Sequence, residues 1–137
     1  SVPVQGVPRS MQSAPHYDDL FGEIDTFFQA RIDACLAAGM AREQLLLDPG
    51  FGFGKTLEHN LTMLRRLAEF RRAGLPLLAG MSRKSMLGMI TGRPVDQRLA
   101  SSIAAAMLAA QHGASILRVH DVAETRDALA ILLAAGA

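Results

Sequence analysis

The sequence predicts an α/β fold, because short apolar runs alternate with longer segments of helical spacing along its 137 residues. Apolar runs at about 44–48, 76–80 and 115–119 lack the polar alternation of half-exposed strands, which indicates strands buried on both faces of a parallel sheet. A strand tail at 2–5 would add another. About four βα units make half of a TIM-type (β/α)8 barrel, and we expect that architecture. An open doubly wound sheet is the alternative, although its glycine fingerprint is absent.

Helical periodicity predicts the segments between these strands. We expect a loop at 6–15 and helices at 17–38, from 57 to the residue before Gly74, at 85–90, at 97–112 and at 122–135. Glycines at 39, 74 and 113 mark predicted helix ends. Asp96 is expected to cap the helix at 97–112, and Asp121 and Glu124 have the spacing of a capping box at the start of the last helix.

The composition indicates a single globular unit, 1–137, that is able to bury a core. Half of the residues are apolar and the formal net charge is +1, so the charge gives no reason to expect a nucleic acid or an anionic membrane as partner. The longest apolar runs, such as Ile103–Ala110, are too short to span a bilayer. Cys35 is the only cysteine, which excludes an internal disulfide and, with no signal peptide visible, favours a cytoplasmic location. We expect no metal ligand in this chain.

The chain is centred on Leu45–Thr56, where a predicted buried strand leads into a glycine-rich loop. Asp48 ends that strand, and a carboxylate at such a strand end is typical of ligand sites in α/β folds. Asp48 could equally cap the turn that Pro49 and Gly50 begin, and both interpretations stay open. Residues 54–56, Gly-Lys-Thr, look like the end of a phosphate-binding P-loop, but Pro49 occupies the place of its first glycine, so we reject that motif.

Polar residues also follow the later predicted strands. Ser82, Arg83 and Lys84 come after the third strand, and Arg118 and His120 end the fourth. In a parallel sheet these side chains gather at one face, together with the carboxylate of the central loop. Arg118 and His120 are two positions apart, point to the same side and could bind a phosphate or diphosphate. The alternatives are a surface ion pair for Arg83, a paired structural amine for Lys84 and a core position for His120.

Three motifs of this chain closely resemble bacterial dihydropteroate synthase, and they occur in the order of that family. They are Leu47–Lys55, Gly80–Ser85 and Arg118–Val122. Gln5-Gly6 and Met11-Gln12 also resemble the loop after the family's fifth strand. The resemblance covers nearly the whole chain but only the C-terminal half of the enzyme, and Val2-Pro3-Val4 stands where the family commonly has His-Met.

The resemblance implies a transferase of folate biosynthesis that is the target of sulfonamides. The reaction condenses 4-aminobenzoate with (7,8-dihydropterin-6-yl)methyl diphosphate and gives dihydropteroate and diphosphate. The implied cofactor is Mg²⁺, held mainly through the substrate diphosphate and through an Asn that this chain lacks. The full-length enzyme is expected to be a homodimer. We expect this chain alone to be an incomplete, inactive portion, prone to association with itself or with the other half of a barrel.

The resemblance also implies roles for individual residues. Asp48 would accept hydrogen bonds from the pterin's N–H edge, and Lys84 would donate to its O4/N5 edge. Arg118 and His120 would hold the departing diphosphate, so the expected catalytic residues are Lys84, Arg118 and His120. Further substrate-binding positions are Gly80, Ser82 and Ser85 with the start of the helix after Lys84, the serines facing the aminobenzoate carboxylate, and Phe53 as an apolar wall for its ring.

Two other functions compete with this one. A related pterin-binding methyltransferase barrel would use the same fold, but Ser82-Arg83-Lys84 together with Arg118 and His120 argue against it. A half-barrel that only binds a partner or serves as a scaffold is the non-catalytic alternative.

Overall fold

A computed structural model of the chain describes residues 17–52 and 54–136. Strands β1 (Leu78–Ala79) and β2 (Ile116–Leu117) are parallel, with Leu78 opposite Ile116. On the other side of β1, Leu47 forms a parallel bridge with Leu77. The N–H of Leu47 donates to the Pro76 carbonyl over 2.9 Å, and the N–H of Leu78 donates to the Leu47 carbonyl over 2.8 Å. Three parallel segments therefore lie side by side with β1 in the middle, which confirms the predicted parallel sheet.

Helices separate these segments, as predicted. They are α1 (Tyr17–Ala37), α2 (Leu57–Arg65), α3 (Ser85–Thr91), α4 (Leu99–Gln111) and α5 (Val122–Ala134), with 3₁₀ turns at Arg42–Gln44, Leu67–Ala73 and Val95–Gln97. The predicted helix from 57 to Gly74 is thus an α-helix followed by a 3₁₀ segment, because the N–H of Glu69 bonds three residues back to the Arg66 carbonyl. The predicted strand tail at 2–5 and loop at 6–15 lie outside the described residues.

The strands are shorter than predicted, and the prediction that both of their faces are buried is wrong. At 44–48 only Leu47 pairs among the described residues, because Arg42–Gln44 forms a 3₁₀ turn. Successive side chains of a strand point to opposite faces. Leu47, Leu77 and Ala79 are buried, whereas Leu46 is 41% exposed and Ile116 39% exposed. One face of the sheet therefore packs against helices, while the other stays open within the described part of the chain.

Two predicted helix caps differ from the structure. Helix α4 begins at Leu99, with Arg98 and not Asp96 at the N-cap, because the N–H of Gln97 bonds to the Pro94 carbonyl and forms a tight turn first. Asp121 does occupy the N-cap of α5, but its side chain makes no capping hydrogen bond. Its carboxylate accepts a hydrogen bond from Arg83 instead, so the predicted capping box is not formed.

The buried core lies between the closed face of the sheet and residues of helices α1 to α4 and of the 3₁₀ turn at Leu67–Ala73. Phe21 stacks on Phe70 with ring centroids 4.9 Å apart, and Phe28 meets the same ring edge-on at 5.7 Å. Arg66 lies over the Phe21 ring at 4.2 Å and pairs with Glu69. This core fixes the sheet and with it the ends of the strands.

No helix within 17–52 or 54–136 is long and apolar enough to cross a membrane.

Candidate functional site

The polar residues at the strand ends converge on one another, as predicted for parallel strands. Arg118, which follows β2, donates from Nη1 to Oδ2 of Asp48 over 3.1 Å. Asp48 is 2% exposed, whereas the Arg118 side chain is 50% exposed. Gly80, which follows β1, lies beneath this guanidinium, and a Cβ atom there would be 2.5 Å from Nη2 of Arg118. A larger residue at position 80 would therefore push Arg118 out of its place.

Asp48 caps the turn, which confirms one of the two interpretations that the sequence left open, and it also meets a cation at the strand end. Its Oδ1 accepts a hydrogen bond from the N–H of Gly50 over 2.9 Å, which is the Asx turn expected of a capping aspartate. Its Oδ2 faces Arg118, which is the contact expected of a strand-end site. The carboxylate thus shapes the following loop with one oxygen and meets a cation with the other.

Residues 49–52, which we name the Asp48 loop, are held by side chains from three other positions. Lys55 Nζ donates to the carbonyls of Pro49 and Gly50, over 3.1 and 2.7 Å. Lys84 Nζ donates to the carbonyl of Phe51 over 2.6 Å. Asn60 Oδ1 accepts from the N–H of Gly52 over 2.8 Å. Three successive carbonyls of the loop therefore face two lysines.

These lysines are unusually easy to deprotonate. Burial, followed by the positive charge of Lys84, lowers the pKa of Lys55 to about 7, and the charge of Asp48 opposes this change. Burial and then the charge of Arg118 also lower the pKa of Lys84, again opposed by Asp48. Two amines and a guanidinium thus share a single nearby carboxylate. An anion that enters the site would relieve this excess of positive charge.

A second pair lies beside the first. Ser82 Oγ and His120 Nδ1 are 2.8 Å apart, and the backbone N–H of His120 donates to the same hydroxyl over 3.3 Å. The family resemblance implies that Ser82 faces the aminobenzoate and His120 the diphosphate, and these two side chains are in contact with each other. His120 is exposed, so the core position considered for it is wrong.

Arg83 has the only positive φ angle, 59°, among the non-glycine residues described. Its N–H donates to Ser102 Oγ over 2.9 Å, and its carbonyl accepts from Arg98 Nη1 over 2.9 Å. Its guanidinium pairs with Asp121 over 3.1 Å. The surface ion pair considered for Arg83 is therefore confirmed, and the strained backbone is held from both sides.

The remaining predicted positions are less constrained. Ser85 is exposed at the first residue of α3. Phe53 lies outside the described residues. The residues 17–52 and 54–136 contain no group of three or more His, Cys, Asp or Glu side chains that could hold a metal ion.

Four residues at the site were not assigned to it from the sequence: Lys55, Asn60, Arg98 and Ser102. Lys55 was considered within the rejected P-loop and within the motif Leu47–Lys55, without a role of its own. Asn60 and Ser102 lie within helices, where nothing in the neighbouring sequence marks them.

Comparison with known proteins points to one family. Residues 2–120 match the model of the pterin binding enzyme family. The chain is 54% identical over 129 residues to the dihydropteroate synthase of Escherichia coli strain K12, a match that covers 94% of this chain and 46% of that protein. It is 50% identical over 128 residues to that of Haemophilus influenzae, covering 93% and 46%. The chain spans about half the length of the curated relatives it matches.

Solved structures agree. The dihydropteroate synthase of Yersinia pestis with a sulfonamide drug matches with a TM-score of 0.85 and 53% identity, over 92% of this chain and 46% of that one. That of Xanthomonas albilineans in complex with 7,8-dihydropteroate matches with a TM-score of 0.85 and 50% identity, over 90% and 48%. The predicted family resemblance and the predicted partial (β/α)8 barrel are confirmed.

Proposed function

Because the chain belongs to the pterin binding enzyme family, we propose that it forms the part of a dihydropteroate synthase site that binds the pterin and the diphosphate. The substrates are 4-aminobenzoate and (7,8-dihydropterin-6-yl)methyl diphosphate. The bond between the methylene carbon and the diphosphate oxygen breaks, and a bond forms from that carbon to the aminobenzoate nitrogen. The nitrogen loses a proton, and dihydropteroate and diphosphate leave.

The observation that carries this proposal is the convergence of Asp48, Lys84 and Arg118 at the strand ends. A pterin's aminopyrimidinone edge presents adjacent N–H donors, and Asp48 presents two carboxylate oxygens. Each oxygen already accepts one hydrogen bond, from Gly50 or from Arg118, and each has a further lone pair. Each oxygen therefore has a lone pair for one pterin N–H group, and because Asp48 is 2% exposed, the pterin must displace a group that covers it. Lys84, above the same loop, donates to the pterin's O4/N5 edge.

Arg118 and His120 receive the leaving group. The guanidinium of Arg118 is half exposed and uses one of its five donors on Asp48, so the others are available to diphosphate oxygens. His120, three residues beyond the end of β2, is exposed. Positive charge placed where the diphosphate develops negative charge lowers the barrier to breaking the C–O bond. Lys84, Arg118 and His120 are the catalytic residues of this proposal.

The aminobenzoate lies on the far side of the methylene carbon. Ser82 and Ser85 offer hydroxyl donors for its carboxylate, and Phe53 offers an apolar wall for its ring. Ser85 is exposed and therefore accessible, whereas Ser82 must exchange its contact with His120 for one with the substrate. Gly80 contributes by leaving room for the guanidinium of Arg118.

Magnesium is the cofactor that the resemblance implies, and when bound it neutralises diphosphate charge. The described residues of this chain do not form a ligand set for it, since they contain no acidic or histidine cluster and the Asp48 oxygens face Gly50 and Arg118. We therefore assign every step above to the side chains of this chain. The metal would be held by the diphosphate and by residues elsewhere in the enzyme.

We further propose a cytoplasmic homodimer that is inhibited by sulfonamides. The support for inhibition is the Yersinia pestis relative, whose structure contains a sulfonamide drug and whose sequence is 53% identical to this chain. The sulfonamide would compete for the aminobenzoate position beside Ser82 and Ser85.

A hybrid enzyme tests the proposal. In this hybrid, the matched segment of the Escherichia coli dihydropteroate synthase is replaced by the corresponding residues of this chain, which are 54% identical to it. We expect the purified hybrid to form dihydropteroate from the two substrates, and the chain alone to form none. A folded hybrid, checked by circular dichroism, that forms no dihydropteroate contradicts the proposal. Binding of methyltetrahydrofolate by the chain alone would favour the methyltransferase alternative.

A further inference from the structure

Lys55 is a largely buried amine to which the proposed reaction assigns no role. Its Nζ atom lies 3.1 Å from the Pro49 carbonyl oxygen and 2.7 Å from that of Gly50. Both carbonyls belong to the Asp48 loop, within two residues of the carboxylate itself. The same loop bonds back to Asp48, because the N–H of Gly50 donates to Oδ1. The amine and the carboxylate therefore hold the same short stretch of backbone.

One peptide unit links Lys55 to Asp48 mechanically. The carbonyl of Pro49 and the N–H of Gly50 belong to the same planar trans peptide, so they point in opposite directions. Lys55 binds the carbonyl end of this peptide, and Asp48 Oδ1 accepts from the N–H end. If the carbonyl turned away from Lys55, the N–H would turn away from the carboxylate. Gly50 has a φ angle of 74°, and a glycine rotates more freely than other residues, so the orientation depends on these contacts.

We infer that Lys55 is a positioning residue, which fixes the Pro49–Gly50 peptide and through it the carboxylate of Asp48 that meets the pterin. This inference deepens the proposed function and rests on it. Lys84, 33 residues after Phe51 in the chain, donates to the next carbonyl, that of Phe51. Lys55 donates to the carbonyl of the peptide whose N–H bonds to Asp48.

The charges around Lys55 provide a second readout. Lys84, Asp48 and His59 interact with it electrostatically, and the charge of Lys55 also helps burial to lower the pKa of His59. In the folded chain the pKa of Lys55 is about 7, against 10.5 for the free side chain. Between these values the unfolded chain keeps a proton that the folded chain has released, so this residue makes folding more favourable as the pH rises from about 7 to 10.5. A residue without an ionisable group at position 55 removes that rise.

Lys55→Met and Lys55→Arg in the hybrid enzyme are the test. We expect Lys55→Met to raise the dissociation constant for a pterin by about tenfold, since the carboxylate loses its fixed orientation. In the folded hybrid, the same substitution should speed amide hydrogen exchange at Gly50 and flatten the rise of stability above pH 7. Lys55→Arg keeps N–H donors for the two carbonyls but stays charged where Lys55 is partly neutral, so it should flatten that rise as well. It should bind the pterin within about threefold of the unsubstituted hybrid.

Thr56→Ala is the matched control. Thr56 Oγ1 accepts a hydrogen bond from the N–H of His59 over 3.1 Å and so caps α2. We expect the loss of this cap to lower the melting temperature by a few degrees, while the contacts of Lys55 with the Asp48 loop stay in place. We expect its pterin affinity to be unchanged. The inference is overturned if Lys55→Met leaves pterin affinity and Gly50 exchange unchanged, or if Thr56→Ala weakens the pterin as much. If the unsubstituted hybrid folds but binds no pterin, the proposed function fails, and Gly50 exchange in the folded hybrid still decides the role of Lys55.

Discussion

The Asp48 loop and the turn at 82–84 surround the same site, but they obtain their shapes in different ways. The Asp48 loop has glycines at positive φ, 74° at Gly50 and 92° at Gly52, which cost glycine little. The turn at 82–84 reaches the same region of backbone space at Arg83, with a φ of 59° and a full side chain.

The contacts of the two segments differ accordingly. The Asp48 loop is fixed mainly by residues close in sequence, Asp48, Lys55 and Asn60, with Lys84 as the distant exception. Arg83 is held by Ser102, 19 residues away, and Asp121, 38 residues away. A loop whose sequence already permits its conformation needs tertiary contacts only to orient it. A strained turn, by contrast, forms only when tertiary contacts hold it in place.

Replacement of Asp48 should have the largest effect on binding. Asp48→Asn in the hybrid enzyme replaces one acceptor oxygen by an NH₂ group, which is a hydrogen-bond donor. This donor would face other donors, either those of the pterin or those of Arg118 and Gly50. A hydrogen bond to a charged group contributes about 1.5–3 kcal/mol, so we expect pterin affinity to fall by roughly ten- to a hundredfold. Calorimetric titration with a pterin measures this, and unchanged affinity would remove Asp48 from the site.

Glycine at position 52 should be needed for its backbone conformation and not because a side chain would clash with a neighbour. A Cβ atom there would lie 3.5 Å from Lys84 Cδ, which is an ordinary contact, but the φ of 92° is unfavourable for alanine. We expect Gly52→Ala to destabilise the hybrid by about 1–2 kcal/mol in urea unfolding. Gly22→Ala in helix α1, where no heavy atom lies within 4 Å of the new Cβ, should stabilise it by roughly 0.5–1 kcal/mol. Equal effects at the two positions would contradict this account of the loop.

The turn at 82–84 should depend on a distant hydroxyl. Ser102 is buried and accepts from the N–H of Arg83, so Ser102→Ala should cost about 1 kcal/mol and loosen Lys84 and Ser82. Ser101→Ala is the matched control, since its hydroxyl donates over 3.3 Å to the Arg98 carbonyl within the same helix turn. Urea unfolding compares the two, and a larger loss for Ser101→Ala would show that the helix and not the turn is affected.

The smallest expected effect is the difference in stability between two variants at Arg83. Arg83→Gly relieves the left-handed conformation but makes the unfolded chain more flexible, whereas Arg83→Ala retains the strain. We expect the glycine variant to be the more stable of the two by about 0.5 kcal/mol. Thermal unfolding of both variants in the hybrid measures the difference. An alanine variant that is the more stable would mean that the turn relaxes when its side chain is removed.

The sequence by itself determined the order of strands and helices, the glycine helix ends and the set of polar residues at the strand ends. Each of these follows from residues that are near one another along the chain, such as apolar runs and helical spacing. The same holds for Asp48, which accepts a hydrogen bond from the N–H of Gly50, two residues later. The turn contact of Asp48 with Gly50 is therefore confirmed, and its role in binding a ligand stays a prediction.

Tertiary structure decided the pairings. Asp48 meets Arg118 from 70 residues away, and Asp121 pairs with Arg83 where local spacing predicted a helix cap. Lys55 faces the backbone of its own loop because the loop folds back over it, which a motif pattern does not express. The exposure of Leu46 likewise depends on what covers the open face of the sheet. These outcomes depend on which segments pack together, since a side chain with several acceptors in reach takes the one that the packed fold places nearest.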